Sequence, residues 1–443
     1  MNRRSLLGLV AAGFAGCLGD DDGDSRTPTP SPTPTAVPDL PRDGSLDGWP
    51  TYRGTAANTG RVQGTTGPGP DAELRWEHRL SDSERRTPFQ AAAAGEVVFA
   101  ADPGGARTVV AVDATDGQVL AEELAADDRV VTEPIIADGS VYYGERKSEL
   151  IAREAATGHE RWRVQTTTFD REGTEVTHPL EQPPTIVDER VYTTDIRELR
   201  DPGGSRAMIR CYEEPDGGEC WNVIEMPSAG DRTSIPRYDG DRLLFQTEDT
   251  LLAFDLNWRE IDWEADLPEM SGDKASSVDR TPAVADDIVV VATQEDHRAF
   301  DATHGTELWS RRSKGPLPQD NSELNYVYTA AISDGVVYAG TNDGRFLALD
   351  LETGEELWTT QPDPELAYWT APGIGDGAIF VGAQGHVGRT QTVRDPTDSH
   401  LYIFDAETGE EMGHWKIPGE LSPPVVTEEN AVIPAGPKLI AVG

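Results

Sequence analysis

TAAISDGVVYAGTNDGRFLALDLETGEELW, residues 329–358, decides the fold. Its segments Ala330–Ser333, Val336–Gly340, Phe346–Asp350 and Glu356–Thr359 are short and rich in aliphatic, aromatic and β-branched residues. Between them stand Asp334-Gly335, Asp343-Gly344 and Thr353-Gly354, the turn chemistry that joins neighbouring antiparallel strands. The stretch therefore predicts one sheet of four strands, a to d, each no longer than a small blade needs.

The same unit recurs outward in both directions. A proline opens strand a at Pro88, Pro134, Pro184, Pro236, Pro282, Pro372 and Pro424, with Ala330 in its place once, at spacings of 42 to 52 residues. A tryptophan closes the unit at Trp162, Trp221, Trp263, Trp309, Trp358 and Trp415. A turn precedes it at Asp116-Gly117, Thr157-Gly158, Asp216-Gly217, His304-Gly305, Thr353-Gly354 and Thr408-Gly409. Eight starts at a period of about 48 predict an all-β, eight-bladed β-propeller of four-stranded antiparallel blades. The last unit has three strands, around Val425-Val426, Ala431–Ile433 and Leu439–Val442. Its fourth strand and its Trp are expected in AELRWEHRL at 72–80, where Trp76 stands before the first complete unit. That strand would close the ring and remove the free sheet edges of an open array.

Charge narrows the function classes. The chain of 443 residues carries 79 Asp+Glu against 38 Lys+Arg, a formal charge of −41. Phosphate recognition needs a basic footprint, so nucleic acid is excluded as a partner. The basic residues include only five lysines: Lys147, Lys274, Lys314, Lys416 and Lys438. Self-repulsion on this scale is relieved in molar salt, where screening acts within about 3 Å, so the composition reads as that of a salt-loving prokaryote, an archaeon.

The amino-terminal residues read as an address. MNRRSLLGLVAAGFAGC, 1–17, holds Arg3 and Arg4 before an apolar stretch and ends in Phe14-Ala15-Gly16-Cys17. It is too short to span a bilayer and resembles a twin-arginine export signal joined to a lipobox, which implies lipid on Cys17. Residues 18–48 are an acidic patch followed by RTPTPSPTPTAVPDLP at 26–41, a semi-rigid linker. Residues 49–443 form the propeller, expected to be exported and anchored by lipid to the outer surface of the cell membrane.

ALDLETGEELW at 348–358, with AVDATDGQVL at 111–120 and IFDAETGEEMGHW at 403–415, resembles the tryptophan-docking repeat of pyrroloquinoline-quinone (PQQ)-type propellers. WPTYRGTAANTG at 49–60 is similar to that family's lead-in. The family includes quinoprotein alcohol dehydrogenases and non-enzymatic lipoproteins such as the propeller of the bacterial outer-membrane barrel-assembly machine. The resemblance implies that Trp76, Trp162, Trp221, Trp263, Trp309, Trp358 and Trp415 dock between blades; it predicts fold more strongly than activity. A dehydrogenase would imply PQQ with calcium, a catalytic Asp and, in many members, two adjacent cysteines; the sequence has no adjacent cysteines and no Cys-x-x-Cys-His haem motif. The eight histidines show no metal-ligand spacing.

Aligning Asp216-Gly217 with Thr353-Gly354 places Cys211 opposite Cys220 across strands c and d of the third blade, and a disulfide is expected in an oxidising compartment. The long connections, 164–181, 195–206, 264–279, 310–327, 359–368 and 383–399, all fall on one face. Its aromatic and basic residues Arg171, His178, Tyr326, Trp369, His386, Arg389 and Arg394 form the candidate binding face on an otherwise acidic molecule. The expected function is a lipid-anchored, non-catalytic scaffold for a protein partner or extracellular ligand, without cofactor or metal. The alternatives are a PQQ- and calcium-dependent alcohol or sugar dehydrogenase and an extracellular carbohydrate or peptide binder. A barrel-assembly role does not carry over to an archaeal envelope, which has no outer membrane.

Overall fold

The computed structural model describes residues 67–69, 72–80, 90–101, 109–121, 130, 132–145, 149–165, 167–169, 175–177, 180, 182–199, 204–228, 233–247, 249–268, 281–293, 295–312, 329–341, 343–363, 366–386 and 399–443. They form eight antiparallel blades. Blade 1 is 90–94, 97–101, 109–113 and 119–121, and blade 2 is 135–137, 140–145, 149–154 and 160–165. Blade 3 is 185–187, 190–199, 204–213 and 219–228, and blade 4 is 237–238, 242–246, 250–255 and 260–266. Blade 5 is 283–285, 288–292, 296–301 and 307–312, and blade 6 is 331–333, 336–340, 346–350 and 356–360. Blade 7 is 373–374, 378–386, 399–405 and 411–416, with an extra strand, 366–369, beside its second. Blade 8 is 425–426, 431–435 and 438–442, completed by 74–79.

That last pairing closes the ring as the sequence predicts: Trp76 lies opposite Ala441 and Arg79 opposite Lys438. The core continues across the closure. Val98 and Val112 of blade 1, Phe380 of blade 7 and Val432 and Val442 of blade 8 belong to one buried apolar cluster. No helix among the described residues is long and apolar enough to cross a membrane.

The repeat tryptophans explain the period. Each extends from strand d onto the c–d turn of the next blade. Nε1 of Trp76, Trp263, Trp309 and Trp358 donates to the carbonyls of Ala114, Ala302, Leu351 and Ala406 at 2.8, 2.8, 2.8 and 3.1 Å, and Trp162 donates to that of Glu214. The indole then lies on the turn glycine. A Cβ at Gly117, Gly217, Gly305, Gly354 or Gly409 would stand no more than 2.9 Å from the ring, and each glycine has φ between 67° and 75°. Glycine is therefore required twice over, for a left-handed backbone and for a flat seat.

Three junctions depart from this. Blade 1 carries Ala121 at the tryptophan position. The turn of blade 4 has Arg259, at φ 58°, where the glycine stands elsewhere, and Trp221 rests against Phe254 with ring centroids 6.1 Å apart. Trp415 packs against the apolar cluster of blade 8, whose third and fourth strands are not joined by a turn.

The c–d hairpin corrects one detail of the sequence reading. Asp350 N donates to Glu355 O at 2.9 Å, but Leu349 then pairs with Glu356 and Ala348 with Trp358, so Leu357 is a bulge. The extra residue brings the tryptophan opposite the third residue of strand c. In blade 3 the same bulge sets Cys211 opposite Trp221, not Cys220. Cys211 and Cys220 are still 5.3 Å apart by Cα and are joined by a disulfide.

Candidate functional site

The face formed by the d–a and b–c connections is more ordered in strands than the sequence suggests. In blade 3 the strands 190–199, 204–213 and 219–228 are ten residues each, twice the length of strands b to d in blade 6. They form a three-stranded tongue that rises past the body of the blade. A hairpin, 167–169 with 175–177, contacts strand 190–199. In blade 7, strand 378–386 runs to His386, which pairs with Leu366. Hence 195–206 and 383–399, expected as loops, are in part continuous ladder, and 359–368 contains the start of an added strand.

The candidate binding residues separate accordingly. Trp369 is only 4% exposed: its ring lies 5.3 Å from Phe346 and 6.2 Å from Tyr402 by centroid, and Nε1 donates to Thr341 O at 3.1 Å. It is a core residue joining blades 6 and 7, which corrects its place on the binding face. His386 lies at the end of its strand. Arg171, His178, Tyr326, Arg389 and Arg394 lie outside the described residues, as do Arg3, Arg4 and Cys17.

Polar side chains near the inner strands of this face serve the backbone. Thr132, Ser234 and Thr370 hydroxyls accept the amides of Gly144, Gln246 and Gly382 at 2.8, 2.9 and 2.9 Å, and Gln384 Oε1 accepts the Leu421 amide at 2.8 Å. These bonds hold the a and b strands where they meet and leave those acceptors engaged.

An ionisable cluster lies between blades 2 and 3. The residue whose carbonyl receives the docking indole is Ala114, Ala302, Leu351 or Ala406 at four junctions and Glu214 here, only 4% exposed. Arg161 Nη1 reaches Glu214 Oε1 at 2.7 Å and also the Ser140 hydroxyl, while the Tyr142 hydroxyl donates to the same carboxylate. Burial, then the bond to Glu214, raises the Tyr142 pKa far above the ordinary phenol value. Burial likewise pushes Tyr143 up to about 12, although Arg153 Nε donates to its oxygen at 2.7 Å. Both phenols stay protonated near neutrality, and the bonds of Tyr142 and Arg161 to Glu214 cross-link blades 2 and 3. Beside it an open pocket of about 180 Å³ is lined by Asp138, Gly139, Glu154, His159, Glu160 and Arg161. The sequence reading missed Glu214; its signal was a carboxylate at a repeat position that is otherwise alanine or leucine.

Among the described residues no three His, Cys, Asp or Glu side chains are grouped so that they could hold a metal ion. The cysteines at 211 and 220 are joined across two strands instead of standing adjacent. No reaction step follows from these residues.

Blade number, docking tryptophans and closure together define a propeller of the PQQ-repeat type. The chain belongs to the family whose model is described as Outer membrane protein assembly factor BamB, which matches residues 59–198 and 205–433. BamB of Yersinia pestis is 23% identical over 361 residues, covering 77% of this chain and 80% of that protein. The quinohemoprotein alcohol dehydrogenase of Comamonas testosteroni is 30% identical over 180 residues, 38% of this chain; the match spans only 23% of the dehydrogenase. Its crystal structure superposes with a TM-score of 0.61 at 14% identity, covering 91% of this chain and 81% of that one. BamB from Moraxella catarrhalis gives a TM-score of 0.59 at 18% identity, covering 84% and 99%. At these identities the superpositions speak to fold alone.

Proposed function

We propose that this protein is a non-catalytic interaction scaffold, exported through the Arg3-Arg4 signal and held by lipid on Cys17 at the outer surface of a salt-loving cell. The observation that supports this most is coverage. The BamB-type family model extends across nearly the whole propeller, whereas the dehydrogenase match spans 23% of that enzyme. The scaffold's partner is a protein or extracellular ligand engaged by the face that carries the blade 3 tongue and the long connections. A carbohydrate or peptide ligand is a variant of the same reading.

The 30% identity to a quinohemoprotein supports the second reading, a PQQ- and calcium-dependent alcohol or sugar dehydrogenase. Titrating the purified protein with PQQ and calcium in molar salt, followed by dye-linked oxidation of alcohols and sugars, separates the two. A scaffold gives neither saturable binding nor turnover; stoichiometric binding with turnover would replace it by the dehydrogenase. Cys17→Ser should release the protein from the membrane fraction, and retention there would remove the anchor.

A further inference from the structure

We propose that the turn between strands 250–255 and 260–266 of blade 4 carries a site for a neutral oligosaccharide, with the indole of Trp258 as its stacking platform. The turn belongs to the face of the c–d connections, opposite the long connections. The site is independent of whether the protein is a scaffold or a dehydrogenase.

This turn keeps the common frame but not the common side chains. Asp255 Oδ1 accepts the Asn257 and Trp258 amides at 2.7 Å each, and Asp255 O accepts the Arg259 amide at 2.8 Å. In six other blades the residue at the Trp258 position is polar and serves its own turn. Thr157, His304, Thr353 and Thr408 bond the acid that opens the turn, and Asp116 and Asp216 accept the amides of Gln118 and Gly218. Trp258 does neither: it is 79% exposed, more than any other large apolar side chain among the described residues.

Two structural costs meet here. Arg259 holds φ 58° where those six blades have glycine, and a side chain strains that backbone. Without the glycine the turn offers no flat seat, and Trp221 of blade 3 rests against Phe254 instead. An exposed indole beside a strained arginine is the signature of a binding tip, because neither residue stabilises the blade.

The free groups define the ligand. Among the described residues, the Trp258 indole NH, the Asn257 amide and the Arg259 guanidinium have no hydrogen-bond or ion-pair partner. A flat apolar face edged by an amide and a guanidinium matches a pyranose, whose C–H face stacks on an aromatic ring while its hydroxyls take the hydrogen bonds. Acidic ligands are opposed by the formal charge of −41 and by Glu260 and Asp262, next along the chain. A protein partner needs about 800 Å² a side with few charges at its centre, whereas this indole stands at a turn tip flanked by acids. Stacking and neutral hydrogen bonds persist in molar salt, where ion pairs are screened.

The test is titration of the purified full-length protein in molar salt with maltohexaose, cellohexaose and chitohexaose, read by calorimetry and tryptophan fluorescence, with hexaglutamate as the charged comparison. At least one neutral sugar should bind with a Kd on the order of 1 mM. Trp258→Thr, which copies Thr353 and Thr408, should weaken that binding about tenfold or more while the protein still melts cooperatively. Trp258→Phe keeps a smaller platform and should weaken it about threefold. Arg259→Gly should raise the melting temperature by relieving the backbone, yet weaken sugar binding about threefold. No saturable sugar binding, sugar binding indifferent to Trp258→Thr, or Trp258-dependent binding of hexaglutamate alone would each overturn the proposal.

Discussion

The indole of Trp76 rests on Gly117, and this contact joins the first described strand to the first blade. A Cβ at Gly117 would stand 2.8 Å from the ring, and Trp76 Nε1 donates to the nearby Ala114 carbonyl at 2.8 Å. Gly117 also has φ 75°. Gly117→Ala should therefore cost about 2–3 kcal/mol, combining backbone strain with overpacking at the ring closure. Gly95→Ala is the control: φ is 55° but nothing lies within 4 Å of the added carbon, so about 1 kcal/mol is expected. Equal losses in equilibrium unfolding would show that the indole does not press on the turn.

Glu214 gives a second prediction. Glu214→Ala leaves the Tyr142 hydroxyl and part of Arg161 without their acceptor and should destabilise by about 2 kcal/mol, less than a fully buried pair because Arg161 is a third exposed. Glu214→Leu with Tyr142→Phe copies the apolar residue that Leu351 supplies elsewhere and should lose less than Glu214→Ala alone. If the double variant is the weaker, the network contributes more than the packing it displaces.

The disulfide is a local staple. A separation of nine residues predicts that reducing Cys211–Cys220 costs about 2–3 kcal/mol and leaves a folded propeller. Chemical denaturation with and without reductant measures this, and unfolding on reduction alone would make the bond indispensable.

Acid sensitivity follows from the c–d turns. The Thr353 hydroxyl and amide donate to Asp350 at 2.7 and 2.9 Å, and Thr408 does the same for Asp405 at 2.8 and 2.7 Å. Those bonds, the hydroxyl first, hold both carboxyl groups below their usual 3.8. A lowered folded pKa adds stability that is complete above the unfolded value and is lost as pH falls through the folded one. Thr353→Val with Thr408→Val should thus lower the unfolding free energy at neutral pH by less than about 1 kcal/mol per site in this exposed setting. The gap from wild type should shrink below pH 3.8. A gap constant down to the acid limit would assign the effect to packing.

Much of the architecture was readable because it repeats. The strand-a prolines, the turn glycines and the tryptophans each state the same geometry several times, so Trp76 could be assigned to blade 8 across the whole length of the chain. What repeats less was less readable. The bulge at Leu357 and Cys220 adds one residue without altering the turn motif, so a simple hairpin count set Cys211 against the wrong neighbour. The segment 195–206 reads as a loop because charges crowd around Pro202-Gly203-Gly204 and no period-two pattern marks it, yet backbone pairing of 195–199 with 204–208 continues two strands. Trp369 follows the long 359–368 connection and so reads as part of the binding face; the extra strand of blade 7 carries it into the core. Glu214 was hidden by the abundance of acids, and only comparison with Ala302 and Leu351 at equivalent positions sets it apart.

The pairing of 74–79 with 438–442 also governs when this protein can become native during synthesis. Blades 1 to 7 leave the ribosome in order, but the ladder partner of the first described strand is translated some 360 residues later, and until then that strand has only its tryptophan seat on blade 1. Bringing such distant segments together costs about 5 kcal/mol of chain entropy, met only when strand 438–442 arrives to pair with 74–79. Each nascent chain therefore holds an unfinished ring until residues 438–442 emerge, and a chain cut short before them yields an arc that cannot lock.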